Sequence, residues 1–203
     1  MMRPAKPWED RMIRAITIAA LLSATLLAVG CASLKPGATP SDPAEARAAE
    51  LAARAAVIET QRAALSNAMA DTGVSVLRTP DGELQVNVPS DFSFGTDHAE
   101  ILPVGRPVLD SLAINLVSPM FRTMRIRIVG HTDSQGSVAS NDTLSLARAN
   151  SVRRHLEGKG VAAERLEVLG RGERDPLVSN DKAYGRALNR RVEIYLREPI
   201  VKP

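Results

Sequence analysis

The sequence is short of several residue types, and each shortage narrows the classes of protein that it can encode. It contains one cysteine, Cys31, so no disulfide bond can form within the chain. Aromatic residues make up only 3% of the chain, and no RNA-binding signature is present. The candidate metal ligands His131 and His155 have no cysteine nearby, so neither zinc nor any cofactor is expected.

The sequence also lacks a strong excess of charge. The formal net charge is +3, from 26 basic and 23 acidic residues, and part of it belongs to the first thirty residues. Without the four basic and two acidic residues of that segment, 22 basic residues face 21 acidic ones. This balance offers no electrostatic attraction for a polyanion, so nucleic acid is not an expected partner.

No apolar run is long enough for an ordinary transmembrane helix. The longest, residues 15–29, would extend about 22 Å as a helix, against a hydrocarbon core of about 30 Å. It follows a basic segment that contains Arg3, Lys6, Arg11 and Arg14. Residues 1–30 are therefore predicted to be a signal peptide.

Cys31 follows Gly30 directly at the end of the apolar run. This arrangement resembles a bacterial lipobox, in which the cysteine is diacylated and becomes the first residue of the mature chain. Ala32 in the next position, in place of an aspartate, implies sorting to the outer membrane. An ordinary signal peptide or a signal anchor with an incidental cysteine is the alternative interpretation.

The segment after Cys31 predicts a lipid-attached tether and a spacer. Residues 31–42 contain Pro36, Gly37 and Pro40 and are expected to form the tether. Residues 43–71 are rich in alanine and predict a long helix that Ser41 or Asp42 caps. Apolar residues recur every seven positions in it, so the helix is either a spacer that lies on the domain or stands free, or an element for self-association.

Residues 73–198 predict one domain, followed by a tail at 199–203. The turn residues 80–82 separate two short strands, 74–78 and 84–88. Helices at 104–117, 139–158 and 182–188 then alternate with strands at 124–129, 166–169 and 191–196. This order favours an α/β two-layer sandwich. The alternation of polar and apolar residues in 191–196 predicts an edge or half-exposed strand.

Arg148 is the first candidate for a functional residue. At 100° per residue it lies in the middle of the apolar stripe of the 139–158 helix. A guanidinium in that position needs a partner, since burying an unpaired charge is costly. We expect a carboxylate to bind it, supplied by the protein, by a ligand or by both.

Asp133 is the second candidate. It lies in a loop after the strand that ends near Gly130, close to the beginning of the helix that carries Arg148. Loops at the carboxyl ends of strands are common positions for ligand contacts. Asp133 can accept hydrogen bonds from an ammonium group while Arg148 binds a carboxylate. The pair thus fits the end of any α-amino acid.

A set of motifs in residues 84–197 identifies a family. They are Thr132-Asp133, Asn141, Leu144-Ser145, Arg148-Ala149, Gly160-Val161, Arg165-Leu166, Gly170, Gly172-Glu173, Pro176, Asn180, Gly185-Arg186 and Asn189-Arg190-Arg191-Val192-Glu193. This region resembles the OmpA-like peptidoglycan-binding domain, which outer-membrane porins, peptidoglycan-associated lipoproteins and flagellar stator proteins share. The resemblance implies a β/α/β/α/β mixed sheet with its helices on one face.

The resemblance also implies a ligand and a function. In the family, the residues at the positions of Asp133 and Arg148 bind the ammonium and the carboxylate of meso-diaminopimelate in the stem peptide of peptidoglycan. Further residues are implied to line or support the same pocket: Phe94, Thr96, Asp97, Thr132, Asn141 and Arg190. The implied protein is a lipid-anchored outer-membrane protein with its domain in the periplasm, which binds peptidoglycan non-covalently and anchors the membrane to the wall.

Two other functional classes fit the sequence less well. An enzyme is not expected, because Ser134, Ser137 and Ser140 lack a nucleophile elbow and no metal set is present. The alternative is an inner-membrane protein of the flagellar-stator or secretion-system type that uses the same domain. It would normally have a longer apolar run with a membrane-embedded aspartate.

Overall fold

The computed structural model describes residues 42–95 and 97–198, apart from the side chain of Phe92. The predicted signal peptide, Cys31 and the tether up to residue 41, together with Thr96 and the tail at 199–203, lie outside the described residues. No helix within the described ranges is both long enough and apolar enough to cross a membrane.

The elements follow the predicted order closely. In chain order they are α1 (Pro43–Ala68), β1 (Ser75–Arg78), β2 (Leu84–Pro89), α2 (Ser90–Ser93), α3 (Arg106–Val117), β3 (Arg125–His131), α4 (Val138–Gly158), a short 3-10 helix (Ala163–Arg165), β4 (Leu166–Gly170), α5 (Ala183–Asn189) and β5 (Arg191–Arg197). The four-residue helix α2 was not predicted.

Helix α1 begins where its capping chemistry predicts. The Asp42 carboxylate accepts a hydrogen bond from the Ala44 N–H at 2.8 Å, and Pro43 occupies the first turn. The first half of the helix is exposed, whereas Leu65 and Met69 near its end belong to the hydrophobic core. The second half of α1 therefore packs on the domain.

The five strands form one mixed sheet in the order β1-β2-β5-β3-β4. Strand β5 pairs antiparallel with both β2 and β3, and β3 pairs parallel with β4. Helix α4 connects the two parallel strands, as a parallel pair requires a crossover of this length. Helices α3 and α4 supply the apolar residues that pack on the sheet in a single core. The predicted two-layer α/β architecture is confirmed.

The prediction of an edge or half-exposed strand at 191–196 was wrong. Strand β5 lies in the centre of the sheet, and both Arg191 and Glu193 are buried. Their charges pair with each other, since Arg191 Nε donates to Glu193 Oε1 at 2.7 Å. An alternating polar pattern indicates an exposed face only when its charges lack such partners.

Candidate ligand-binding site at one end of the sheet

Three strands place their flanking segments at the same end of the sheet. Pro89 at the end of β2 and His131 at the end of β3 both pair in register with Arg191, the first residue of β5. Helix α2 after β2, the loop after β3 and Arg190 before β5 are consequently neighbours. The register of the sheet thus brings together residues that are up to a hundred positions apart.

A cavity of about 600 Å³ lies at this end. Its lining includes seven of the eight residues predicted for the pocket: Phe94, Asp97, Thr132, Asp133, Asn141, Arg148 and Arg190. The eighth, Thr96, is outside the described residues. The remaining lining residues are Asp91, Gly95, Gln135, Leu144 and Arg186. Asp133 and Arg148 therefore face a common cavity.

Arg148 is only 3% exposed and is held by backbone oxygens and an aromatic ring. Its Nε donates to the His98 carbonyl at 3.0 Å and its Nη2 to the Gly95 carbonyl at 3.4 Å. The guanidinium carbon lies 5.4 Å from the centre of the Phe94 ring, within range of a cation–π interaction. Within the described residues, no carboxylate forms a salt bridge with it.

Burial is the main cause that lowers the pKa of Arg148, and the nearby positive charge of Arg190 adds to it. Guanidinium groups stay protonated in proteins all the same. Arg148 is therefore a buried cation whose contacts are carbonyl dipoles and a ring, and a carboxylate entering the cavity would bind it strongly.

Asp133 is 7% exposed and belongs to an ion-pair network. Its Oδ1 accepts from the Gln135 N–H at 2.9 Å, and its Oδ2 accepts from Arg190 Nη1 at 2.6 Å. Arg190 also donates to both oxygens of Asp91, at 2.7 and 2.6 Å. The hydrogen bonds to Asp91 and then to Asp133 raise the pKa of Arg190, even though burial opposes this. Each carboxylate oxygen of Asp133 has a second lone pair that can accept from a ligand.

Asn141 supports the loop that carries Asp133. Its Nδ2 donates to the Asp133 backbone carbonyl at 3.3 Å and to Glu173 Oε2 at 2.6 Å. The Thr132 N–H donates to the Gly172 carbonyl at 2.9 Å, which ties the same loop to the segment after β4. Asn141 thus links the loop that carries Asp133 to the segment after β4.

Gly130 allows α4 to approach β3 closely enough to bring Arg148 to the cavity. A Cβ atom at Gly130 would lie 2.0 Å from the backbone oxygen of Ser145, which is far inside van der Waals contact. Ser145 Oγ in turn accepts from the Gly172 N–H at 2.9 Å. This close packing sets the distance between the helix that carries Arg148 and the strand that leads to Asp133.

A buried charge network lies next to the site. Two of its members, His131 and Arg191, are adjacent in sequence to the lining residues Thr132 and Arg190, respectively. Glu193 accepts from Arg191, is 3.1 Å from His131 Nε2, and accepts from the Tyr195 hydroxyl at 2.6 Å. Burial by itself raises the pKa of Glu193, but the hydrogen bonds from His131 and Tyr195 and the charge of Arg191 outweigh it and lower that pKa to about 2. The ionised carboxylate of Glu193 thus links β3 to β5 next to the site.

The charges that line the cavity balance one another. Three carboxylates and three guanidiniums line it among the residues that the structure describes: Asp91, Asp97, Asp133, Arg148, Arg186 and Arg190. A balanced set of separated charges favours a zwitterion over a simple cation or anion. The cavity can therefore bind the amino and carboxylate groups of one amino-acid centre.

Asp91 and Arg186 were not predicted to line the cavity, for two different reasons. Asp91 lies on α2, which is too short to show a helical period, and Arg186 lies on a helix whose direction the sequence leaves open. The available signal for Asp91 was its place in a Pro-Ser-Asp segment directly after a strand, which is typical of a helix start.

The comparisons with known proteins define the class of this domain. Residues 93–190 match the model of the OmpA family, and the chain therefore contains an OmpA-family domain. This range covers every lining residue of the cavity except Asp91.

Two curated relatives and one solved structure are similar to the chain. A protein of Escherichia coli strain K12 named "Probable lipoprotein YiaD" is 37% identical over 139 residues, which are 68% of this chain and 62% of that protein. Peptidoglycan-binding protein ArfA of Mycobacterium tuberculosis is 38% identical over 50% of this chain and 31% of its own length. A crystal structure of a MotB-like protein from Desulfovibrio vulgaris is 28% identical, with a TM-score of 0.63, and covers 72% of this chain and 99% of that one. The match thus spans less than two thirds of the length of each of these two curated relatives.

Proposed function

We propose that the cavity binds peptidoglycan by the free amino-acid end of diaminopimelate in the stem peptide. Arg148 binds the carboxylate of that end, and Asp133 accepts hydrogen bonds from its ammonium. Asp91 and Arg190 hold Asp133 in place, and Phe94 packs against the ligand beside Arg148. Binding of this kind involves no covalent step, so the protein acts as an anchor rather than as an enzyme.

The single observation that supports this proposal most strongly is the position of Arg148. Its buried guanidinium forms no salt bridge among the described residues, and it lies in the same cavity as the buried carboxylate of Asp133. Each charge-assisted contact to a ligand is worth about 1.5–3 kcal/mol. Two such contacts give modest affinity at one site, and many membrane-bound copies acting on one polymer raise the effective affinity.

The N-terminal segment and the relatives support a proposal for the location of the protein. We propose that Cys31 is lipidated after the signal peptide is removed, and that the lipid inserts in the outer membrane. The similarity to the YiaD lipoprotein supports this location, and the ArfA name supports the peptidoglycan ligand. The protein then links the outer membrane to the cell wall without a covalent bond to the peptidoglycan.

Co-sedimentation with purified sacculi tests the binding site. The wild-type protein is expected to sediment with the sacculi, and Asp133→Ala and Arg148→Ala are expected to stay largely in the supernatant. Arg153→Ala is the matched control, because Arg153 is on the same helix, pairs with Glu157 and lies outside the cavity. Sedimentation of both site variants at the wild-type level would contradict the proposed site.

A second candidate is an inner-membrane protein of the flagellar-stator type with the same ligand, which the similarity to the MotB-like structure favours. In that case residues 15–29 stay in the membrane and the leader is not removed. Mass spectrometry of the membrane-extracted protein separates the two. A lipidated N-terminal Cys31 supports the lipoprotein, and an unmodified Cys31 still preceded by residues 1–30 supports the stator type.

A further inference from the structure

A second groove lies on the same helix as Arg148. It has a volume of about 620 Å³ and lies between α3, α4 and the segment 99–101. Its polar lining comes from both helices and includes Arg106, Asp110, Ser151, Arg154, His155 and Lys159. None of these residues lines the diaminopimelate cavity, so the groove is a separate feature of the surface.

The two hollows follow one another along α4. At 100° per residue, the positions 144, 148, 151, 155 and 159 fall within an arc of about 80°, and they line first one hollow and then the other. One chain segment also contributes to both hollows: Asp97 lines the first and Ala99 lines the second. Arg148 donates to the carbonyl of His98, which lies between them. The two hollows are therefore neighbours along α4.

Two arginines of the groove, Arg106 and Arg154, are available to bind an anionic group. His155 Nε2 and Lys159 Nζ both contact Asp110, at 2.7 and 2.9 Å, so these charges are already neutralised in part. Arg106 and Arg154 are exposed, and within the described residues neither forms a salt bridge. Guanidinium groups of this kind bind carboxylates in a bidentate manner.

Glu100 is the acidic residue of the groove that has no cation within salt-bridge distance among the described residues. Its charge opposes the binding of an anion. This makes the sign of the electrostatic effect testable, since removing Glu100 and removing an arginine must act in opposite directions.

We propose that this groove is a second subsite for the same peptidoglycan strand, where Arg106 and Arg154 bind a stem-peptide carboxylate other than that of the anchored amino-acid end. The proposal rests on the function proposed for the first cavity. Arg148 and His155 are seven residues apart on α4, or about 10 Å along the helix. An extended peptide covers this distance with about three residues, so free diaminopimelate fills the first cavity only.

Titration calorimetry with two probes tests the proposal on the purified protein. The probes are free meso-diaminopimelate and a disaccharide–tetrapeptide released from sacculi by a muramidase. The Arg106→Ala and Arg154→Ala variants are expected to bind the muropeptide about three- to tenfold more weakly. Both variants should bind free diaminopimelate with the wild-type affinity. Glu100→Gln should bind the muropeptide more tightly, and the control Arg153→Ala should match the wild type with both probes.

Several results would overturn the second subsite. Wild-type muropeptide affinity in a combined Arg106→Ala, Arg154→Ala protein would do so. Equal weakening for both probes would also do so, because it would show an effect transmitted through the fold to the first cavity. Failure of the underlying function is a different result: the wild-type protein would then bind neither probe.

Discussion

At the scale of single residues, the site depends on two arginines with opposite surroundings. Arg190 donates to two carboxylates, Asp91 and Asp133, and is fixed by them. Arg148 contacts two carbonyl oxygens and the Phe94 ring. The first arginine belongs to the internal structure of the site, and the second is left with its capacity for a carboxylate unused. That difference is the reason why the proposed function assigns the ligand carboxylate to Arg148.

Removal of Asp91 should weaken ligand binding with little effect on folding. In Asp91→Asn the full charge of Arg190 acts on Asp133 and competes with the ligand ammonium. We expect a three- to tenfold loss of diaminopimelate affinity by calorimetry, and a loss of stability of at most about 1 kcal/mol because the Asp91–Arg190 pair is partly exposed. Asp175→Asn is the control, since Asp175 pairs with Arg171 outside the cavity. Unchanged affinity in Asp91→Asn would remove Asp91 from the account.

Glu193 should make stability dependent on pH. Its pKa in the folded protein is about 2, below the ordinary 4.5, so its stabilising effect is complete above the unfolded value. The effect is lost as the pH falls from about 5 to 2. Glu193→Gln should lower the free energy of unfolding at pH 7 by on the order of 3 kcal/mol, because Arg191 loses its buried partner.

Urea unfolding at a series of pH values measures this effect. The difference in unfolding free energy between wild type and Glu193→Gln should shrink between pH 5 and pH 2. A difference that stays constant over that range would show that Glu193 is not held ionised by its neighbours.

For single residues, the sequence predicted which side chains belong to the site better than it predicted their hydrogen-bond partners. The position of Arg148 in an apolar stripe could be calculated from the helical period alone. Its carbonyl partners could not, because they come from a segment about fifty residues earlier whose path no periodicity records. The pairing of Arg190 with Asp91 spans 99 positions and depends on the strand register.

At the scale of secondary-structure elements, the site depends on close contact between α4 and β3. Both elements were predicted from the sequence, since a long amphipathic helix and an alternating strand give clear periods. Their separation was not predicted. Gly130 sets that separation, as its missing side chain lets the backbone of Ser145 approach the strand.

Gly130→Ala should both destabilise the protein and reduce binding. The new Cβ would lie 2.0 Å from the Ser145 backbone oxygen, so α4 must move away from β3 and take Arg148 with it. Overpacking of this kind costs about 1–3 kcal/mol. We expect a lower urea midpoint and weaker diaminopimelate binding.

Gly158→Ala is the matched control for this substitution. Gly158 is the last residue of α4, and a Cβ atom there meets nothing within 4 Å. Alanine at this position should leave binding unchanged and leave stability equal or slightly higher. If Gly130→Ala behaved like Gly158→Ala, the helix–strand contact would not control the site.

Strand β5 shows where element-level prediction failed. Arg191, Glu193 and Tyr195 alternate with apolar residues, as on an exposed strand. The strand can nevertheless occupy the centre of the sheet, because those polar side chains bind one another and His131. Sequence periodicity records which face a residue is on, but not whether that face is covered by mutually paired charges.

At the scale of the whole molecule, α1 has two different halves. Residues up to about 54 are exposed, whereas Leu65 and Met69 are core residues. The predicted spacer is thus anchored to the domain at its C-terminal end.

Substitutions in the two halves of α1 should differ in effect. Leu65→Ala removes a fully buried side chain and should lower the free energy of unfolding by about 2–5 kcal/mol. Leu51→Ala, in the exposed half, should change it by less than about 0.5 kcal/mol. Thermal or urea unfolding measures both. A large effect of Leu51→Ala that grows with protein concentration would instead indicate self-association through this helix.

The proposed mode of binding depends centrally on a contact between Arg148 and a ligand carboxylate. A double-mutant cycle measures it directly, with wild type and Arg148→Ala each titrated with diaminopimelate and with its carboxamide at the bound centre. We predict a coupling energy of about 1.5–3 kcal/mol, so the carboxamide should cost affinity in the wild type and almost none in the variant. A coupling energy near zero would show that Arg148 does not bind the carboxylate, and would contradict the proposed mode of binding.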